Sequence, residues 1–246
     1  MAARLISALA LIALWQVAAH FGDPRVLPGP IAVLTAMKAE TASGALPAAL
    51  AVSLARVAAA FALAMAAGSA LGYAMGRRAL IDRVADPWVV ILLNLPALVI
   101  IVLAYIWAGL NEAAAIAAVA LNKLPVATVT IREGVRALDP GLDEMARVFG
   151  FSTLKRLRHL ALPQLAPYFA AATRSGLSLV WKIVLIVELL GRPNGVGFEI
   201  GIAFQLFDVT RILAYAIAFV LVMLAIETFL VQPIERHVSR WRPKAA

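Results

Sequence analysis

No cysteine occurs in this 246-residue chain. That excludes a disulfide framework and any thiolate metal site. Charge is scarce too: Asp, Glu, Lys and Arg together make up 15%, where a soluble domain carries about a quarter. The three histidines, His20, His159 and His237, are scattered, and none stands in His-Glu metal spacing. No nucleophile–base cluster is recognisable, which argues against an intramembrane enzyme. The glycine-rich stretch GRPNGVGFEIG (191–201) lacks a Gly-Lys-Ser/Thr ending, so it does not form a phosphate-cradling loop. It reads instead as a turn and a short helix.

What the chain has in quantity is apolar sequence. Apolar residues make up 63%, and the mean hydropathy is +0.90. Several runs reach the roughly 20 residues a helix needs to cross a bilayer core. The expectation is an all-α integral membrane protein with one transmembrane domain over 1–246 and about six spans, at 5–21, 48–76, 87–109, 112–131, 166–190 and 209–232. The third is read as starting at Pro87, a comfortable first helical position. An amphipathic stretch from Ile31 to Glu40 lies between the first two. Arg4 followed by LISALALIALW resembles a signal peptide. The apolar run continues through Phe21 and includes Trp15, so a retained first helix is expected.

The net charge of +8 would suggest nucleic acid in a soluble protein; here it follows from topology, and no nucleic-acid partner is expected. With the N-terminus in the cytoplasm, fourteen of the 22 Lys and Arg fall in cytoplasmic loops and tails and four outside. By the positive-inside rule both termini and the segment 134–165 are cytoplasmic.

That segment, which contains EMARVFGFSTLKRLRHLALP (144–163), is unusually polar for this chain. Leu142, Met145, Ala146 and Phe149 fall at helical spacing and form an apolar stripe. Asp139, Asp143 and Glu144 stand near the helix start, where negative charge suits the helix dipole. Gly150 ends the helix, and Ser152 caps a second one. On the second, Leu154, Leu157 and Leu160 or Leu162 make one side, and Lys155, Arg156, Arg158 and His159 crowd the other. Pro163 is expected to stop or kink it. The second helix suits a membrane surface with anionic lipid. The first, with its exposed Met and Phe, suits docking on another protein.

The same residues carry a resemblance. Glu144-Met145-Ala146, Gly150 after three residues, Leu160 after nine more, then Leu162-Pro163 resemble the Glu-Ala-Ala loop of membrane subunits of bacterial ATP-binding-cassette importers. Met145 stands where that pattern has Ala, and Leu160 where it has Ile. LPGP (27–30) with SLARV (53–57), VELLGRPNGVGFEI (187–200) and IERHVSRWRP (234–243) are similar to segments of nitrate/sulfonate/taurine-type permeases. The resemblance implies a type I importer permease fold in the bacterial inner membrane. It implies that 139–150 contains a coupling helix seated in a separate ATPase. It also implies two ATPase copies, an extracytoplasmic solute-binding protein and a second permease copy, here read as identical. ATP and Mg would belong to the ATPase, with no cofactor in this chain.

Inside the spans, Arg174, Ser178 and Lys182 share one stripe at i, i+4, i+8, and Lys123 lies deep beside Pro125. Intramembrane charge commonly faces a cavity or a partner charge. Lys123, Arg174, Ser178 and Lys182 are therefore candidate pathway residues, suited to an anionic solute. A buried ion pair of Lys182 with Glu188 or Glu227 is the competing reading. Ala60, Ala64, Gly68, Gly72 and Gly76 recur every fourth position, a stripe that lets helices approach closely. The competing function is an ion-gradient-driven secondary transporter, for which Glu188 and Glu227 would be relay carboxylates. The solute is not readable from the sequence.

Overall fold

The structure, a computed structural model, describes residues 2–233, and all of their side chains except those of 2–5 and 8. The basic segment 234–243, part of the family resemblance, lies outside the described residues. Among those described, every regular element is helical. In chain order they are α1 (Ala2–Phe21), α2 (Pro30–Ala42), α3 (Ala45–Arg77), α4 (Ala79–Asn94), α5 (Ala97–Ala108), α6 (Glu112–Arg136), α7 (Pro140–Val148) and α8 (Thr153–Arg156). A wide turn at Leu157–Ala161 leads into α9 (Leu162–Gly191), followed by α10 (Val196–Gln205) and α11 (Val209–Ile226).

Among the described residues, four helical runs are long and apolar enough to cross a membrane: Ala45–Arg77, Glu112–Arg136, Thr153–Gly191 and Val209–Val231. The expected third span is different from its sequence reading. It is a bent pair, α4 and α5, with 102° between the two halves. Pro87 does not start it but lies inside α4. The break falls at Leu95-Pro96, because a proline drives the residue before it to extended backbone; Leu95 has φ −72° and ψ 127°. Counting the pair as one span gives five. α1 is helical over Ala2–Phe21, which includes the expected first span, and its stretch Leu9–Phe21 is apolar. The count of six is thus only roughly met. Pro163 does not end its helix either. The run is continuous from Thr153, and the turn at Leu157–Ala161 widens so that Leu162 N–H reaches the Leu157 carbonyl. The wider register absorbs the proline that follows.

The chain divides into two compact units. One runs through Ala55 and takes up Leu185–Leu224; the other is Arg56–Val184 with the chain from Ala225. In the second unit α6 is the central helix, with Ala115, Val119, Ala127 and Ile131 all buried. The small-residue stripe of α3 packs on it. A Cβ on Gly68 would lie 2.7 Å from the Leu124 carbonyl oxygen, and one on Gly76 would lie 2.6 Å from Val135 Cβ. Gly72 is pressed on the Thr128 carbonyl. Close packing of this kind replaces the hydrophobic driving force that lipid does not supply. At the end of α6, Ile131 and Val135 pack with Ala161 and Leu165, and with Tyr73, Leu157 and Tyr168 around them. Beside that cluster, Arg132 bonds Asp82 at 3.3 Å and also Asp86, and Arg136 bonds Asp82 at 2.6 Å. These contacts fix α4 to α6 and, with the packed cluster, set the base on which the polar segment stands.

Candidate functional site

The polar segment forms an elbow. Pro140 opens α7, and the Asp139 carboxylate accepts from Gly141 N–H at 2.8 Å. Asp139 N–H donates to Gln164 Oε1 at 3.0 Å, which ties the start of α7 to the start of α9. The helix closes with two bonds: Gly150 N–H to the Arg147 carbonyl at 3.1 Å and Phe151 N–H to the Ala146 carbonyl at 2.8 Å. This is a Schellman closure, and it requires left-handed backbone at the residue after the cap. Gly150 meets it with φ +64°. Ser152 then caps α8, accepting from Lys155 N–H at 3.3 Å.

The apolar stripe of α7 divides between two faces. Ala146 is buried and Met145 half-buried, whereas Phe149 is 70% exposed. Val148 is exposed beside it, and Glu144 is exposed too. Leu160 is half-buried, while Leu162 and Pro163 are exposed on the first turn of α9. The Phe149 ring is thus held out in solvent on a short, capped helix.

Asp143 fastens the elbow from beneath. Its carboxylate receives Arg156 at 2.5 Å, Arg147 at 3.3 Å and Arg77 at 3.6 Å. The hydrogen bond from Arg156 holds the Asp143 carboxyl below the usual carboxylate range, with Arg77 and Arg147 adding to it. The sequence reading used Asp143 only as a dipole partner; the grip by arginines from α3 and α8 is a finding of the structure.

The pathway candidates do not come together. Arg174, Ser178 and Lys182 lie on one exposed face of α9, and Lys182 Nζ lies 5.5 Å from the centre of the Trp181 ring. Lys123 does not join them. It is fully buried on α6, and its Nζ would lie 2.5 Å from a Cβ on Gly176. Gly176 is on the opposite side of α9 from the exposed stripe. Lys123 Nζ has no hydrogen-bond partner among the described residues.

In the first unit a second polar site appears, around Glu188. The carboxylate is fully buried. It accepts from Ser53 Oγ at 2.8 Å and from Gly197 N–H at 2.8 Å, and Ser53 Oγ accepts from Val196 N–H at 2.8 Å. The carboxylate thus closes the free amide end of α10, where helix polarity favours negative charge. Gly195 has φ +107°, and a Cβ on it would meet Glu188 Oε1 at 2.5 Å. Further along, Arg211 bonds Glu199 of α10 at 2.8 Å and lies 3.4 Å from Glu40 of α2. The sequence signal for this site was the Gly-Val-Gly seven residues after Glu188.

Among the described residues no group of His, Cys, Asp or Glu could hold a metal ion. Residues 64–241 match the family described as binding-protein-dependent transport system inner membrane component. The chain is 33% identical over 235 residues to the putative aliphatic sulfonates transport permease protein SsuC of Escherichia coli (strain K12), covering 95% of this chain and 89% of that one. It is 29% identical to the protein of the same description from Bacillus subtilis (strain 168), covering 94% and 84%. The fold matches a chain of the inward-facing MetNI methionine ABC transporter with a TM-score of 0.69 and 18% identity, over 81% of this chain and 98% of the other. Nothing in these likenesses favours an ion-gradient-driven transporter. The fold, the apolar spans and these relatives converge: the chain belongs to the binding-protein-dependent transport system inner membrane components and is an ABC importer permease, a multi-pass subunit that is not itself an enzyme and whose family works with a separate ATPase and a substrate-binding protein.

Proposed function

We propose that this permease carries a small anionic solute of the sulfonate class and takes the work for transport through the elbow α7–Gly150–α8. Glu144, Met145, Ala146, Phe149 and Gly150, with Leu160, Leu162 and Pro163 at the base, make the coupling surface. The observation that carries the proposal is the exposed Phe149 beside a left-handed Gly150. The helix that bears the ring is short, capped at both ends and fastened by Asp143, so a push on it is passed to α3, α8 and α9. In this reading both termini and the elbow are cytoplasmic, as the distribution of Lys and Arg supports. ATP and Mg are held by an ATPase dimer, and two identical permease chains meet in the membrane. Their exposed α9 faces, with Arg174, Ser178 and Lys182, offer cationic and hydroxyl groups to the solute. Lys123 acts behind that face, as a buried charge against Gly176.

The sulfonate class rests on the relatives whose descriptions name aliphatic sulfonates and on the cationic α9 face. The test is uptake of a labelled alkanesulfonate by the complex reconstituted with its ATPase and binding protein. ATP-dependent uptake that Lys182→Met reduces, with assembly intact, is the expected result. Uptake of an uncharged solute and none of a sulfonate would overturn the substrate class. Orientation is tested separately: Ser152→Cys, in a chain with no other cysteine, should react with an impermeant thiol reagent only from the cytoplasmic face.

A further inference from the structure

Where α3 ends and α4 begins, α8 closes over the corner and leaves a cavity of about 400 Å³. Every charged residue that lines it is an arginine: Arg77, Arg78 and Arg156. The rest of its wall is largely apolar, with Ile81 and Leu157 from two different elements and the ring of Tyr73, over which the Arg77 guanidinium lies at 5.7 Å. Arg156 is only half satisfied. One guanidinium nitrogen donates to Asp143, while its Nε is buried and has no partner among the described residues. Among the described residues no acid lines the cavity to answer these cations; Asp143 reaches Arg77 and Arg156 without lining it.

A guanidinium cluster with no lining acid favours an oxyanion whose geometry matches its fork. An apolar wall on the same cavity favours an oxyanion that carries hydrocarbon. We propose that this cavity binds a phosphate-bearing anion, and that its source is the headgroup of an anionic phospholipid, with the start of the chains against Ile81 and Leu157. Basic pockets between membrane helices suit such headgroups in general. The occupant would touch Arg77 and Arg156, two of the three arginines that hold Asp143 of α7. The lipid would therefore stabilise the base of the elbow, and transport coupling would depend on anionic lipid.

The lipid source rests on the cytoplasmic placement of the elbow proposed above, and the experiment separates the two. The permease–ATPase complex is delipidated in detergent and titrated with phosphatidylglycerol, phosphatidylcholine and inorganic phosphate. Bound lipid is read by native mass spectrometry and phosphate by calorimetry. Phosphatidylglycerol should bind about tenfold more tightly than phosphatidylcholine, and Arg78→Gln should remove most of that preference, since a charge-assisted bond carries about that factor. Arg78 is exposed and lies outside the Asp143 grip, so the variant should retain its activity in zwitterionic lipid and lose the increase that phosphatidylglycerol gives. Ile81→Asp, which puts an acid into the cavity, should have the same effect. If inorganic phosphate binds as tightly as the lipid and Arg78→Gln weakens both alike, the lipid source is rejected in favour of a soluble anion. Wild-type phosphatidylglycerol affinity in both variants would overturn the site. Binding in detergent does not depend on orientation, so labelling of Ser152→Cys only from outside would overturn the placement and leave the binding result intact.

Discussion

Gly150 and Gly195 both hold a positive φ, +64° and +107°, in opposite surroundings. Around Gly150 nothing lies within 4 Å of an added Cβ; around Gly195 the Glu188 carboxylate lies there at 2.5 Å. At Gly150 the constraint is on backbone conformation alone, because the elbow must turn and leave its ring outside. At Gly195 the constraint is on space as well, because a buried carboxylate is seated on the start of α10. On the function proposed above, the first glycine serves a surface that meets the ATPase. The other serves a junction that has to stay shut. Damage at the first should appear in coupling, and damage at the second in folding.

The largest loss of stability is expected at the Glu188 site. Gly197→Ala drives a methyl into the Leu185 carbonyl, and overpacking of this kind costs about 1–3 kcal/mol. Glu188→Ala leaves the Gly197 amide and the Ser53 hydroxyl without their acceptor, at about 1–3 kcal/mol for each buried group left unpaired. Both variants should lower the yield of folded permease in membranes and the temperature at which it aggregates in detergent. Full yield and unchanged melting for Glu188→Ala would show that the junction does not hold α10.

A smaller effect belongs to Asp143, which is partly solvated, as are its three arginines. Asp143→Asn should cost about 1 kcal/mol or less, as exposed ion pairs do, and should loosen α7, which faster amide exchange over 140–148 would report. The folded carboxyl sits below its ordinary value, so its contribution is complete above the unfolded pKa of about 3.9 and fades as pH falls through the lower folded value. Exchange in the wild type should thus be flat from neutral pH down to about 4 once intrinsic rates are corrected for. A step near pH 6 would contradict the arginine grip. The smallest stability effect is Phe149→Ala: the ring is mostly in solvent, so melting should not move. Affinity for the ATPase should nevertheless fall, by an amount typical of a truncated anchor, about 2 kcal/mol.

The elbow was legible in the sequence because its signals are local. Asp139, Gly150 and Ser152 act on backbone groups within a few residues, and so does the stripe on α7. The stripe on α3 was legible as periodicity, though α6 as its partner was not. Other features depended on contacts far apart in the chain. Ser53 and Glu188 are 135 residues apart, and nothing in either neighbourhood names the other. Depth along a span also misleads about direction. Lys123 and Lys182 both read as deep cations, but the rotation of α6 against α9 turns one to a glycine and leaves the other on an exposed face. Prolines were ambiguous too: Pro96 breaks its helix, whereas Pro87 lies within α4 and Pro163 within the continuous run from Thr153.

The most direct test of the difference between the two glycines is one assay on Gly150→Val. A β-branched residue at φ +64° is strained by about 1–3 kcal/mol, yet it has open space around it. The variant should therefore insert and assemble while the turn that sets the direction of α7 is lost. The measurement is ATP hydrolysis by the reconstituted complex with and without loaded binding protein. The account predicts near-normal amounts of assembled complex, basal hydrolysis retained, and stimulation by loaded binding protein abolished together with uptake. Wild-type stimulation and uptake in Gly150→Val would contradict the claim that the elbow is the coupling element.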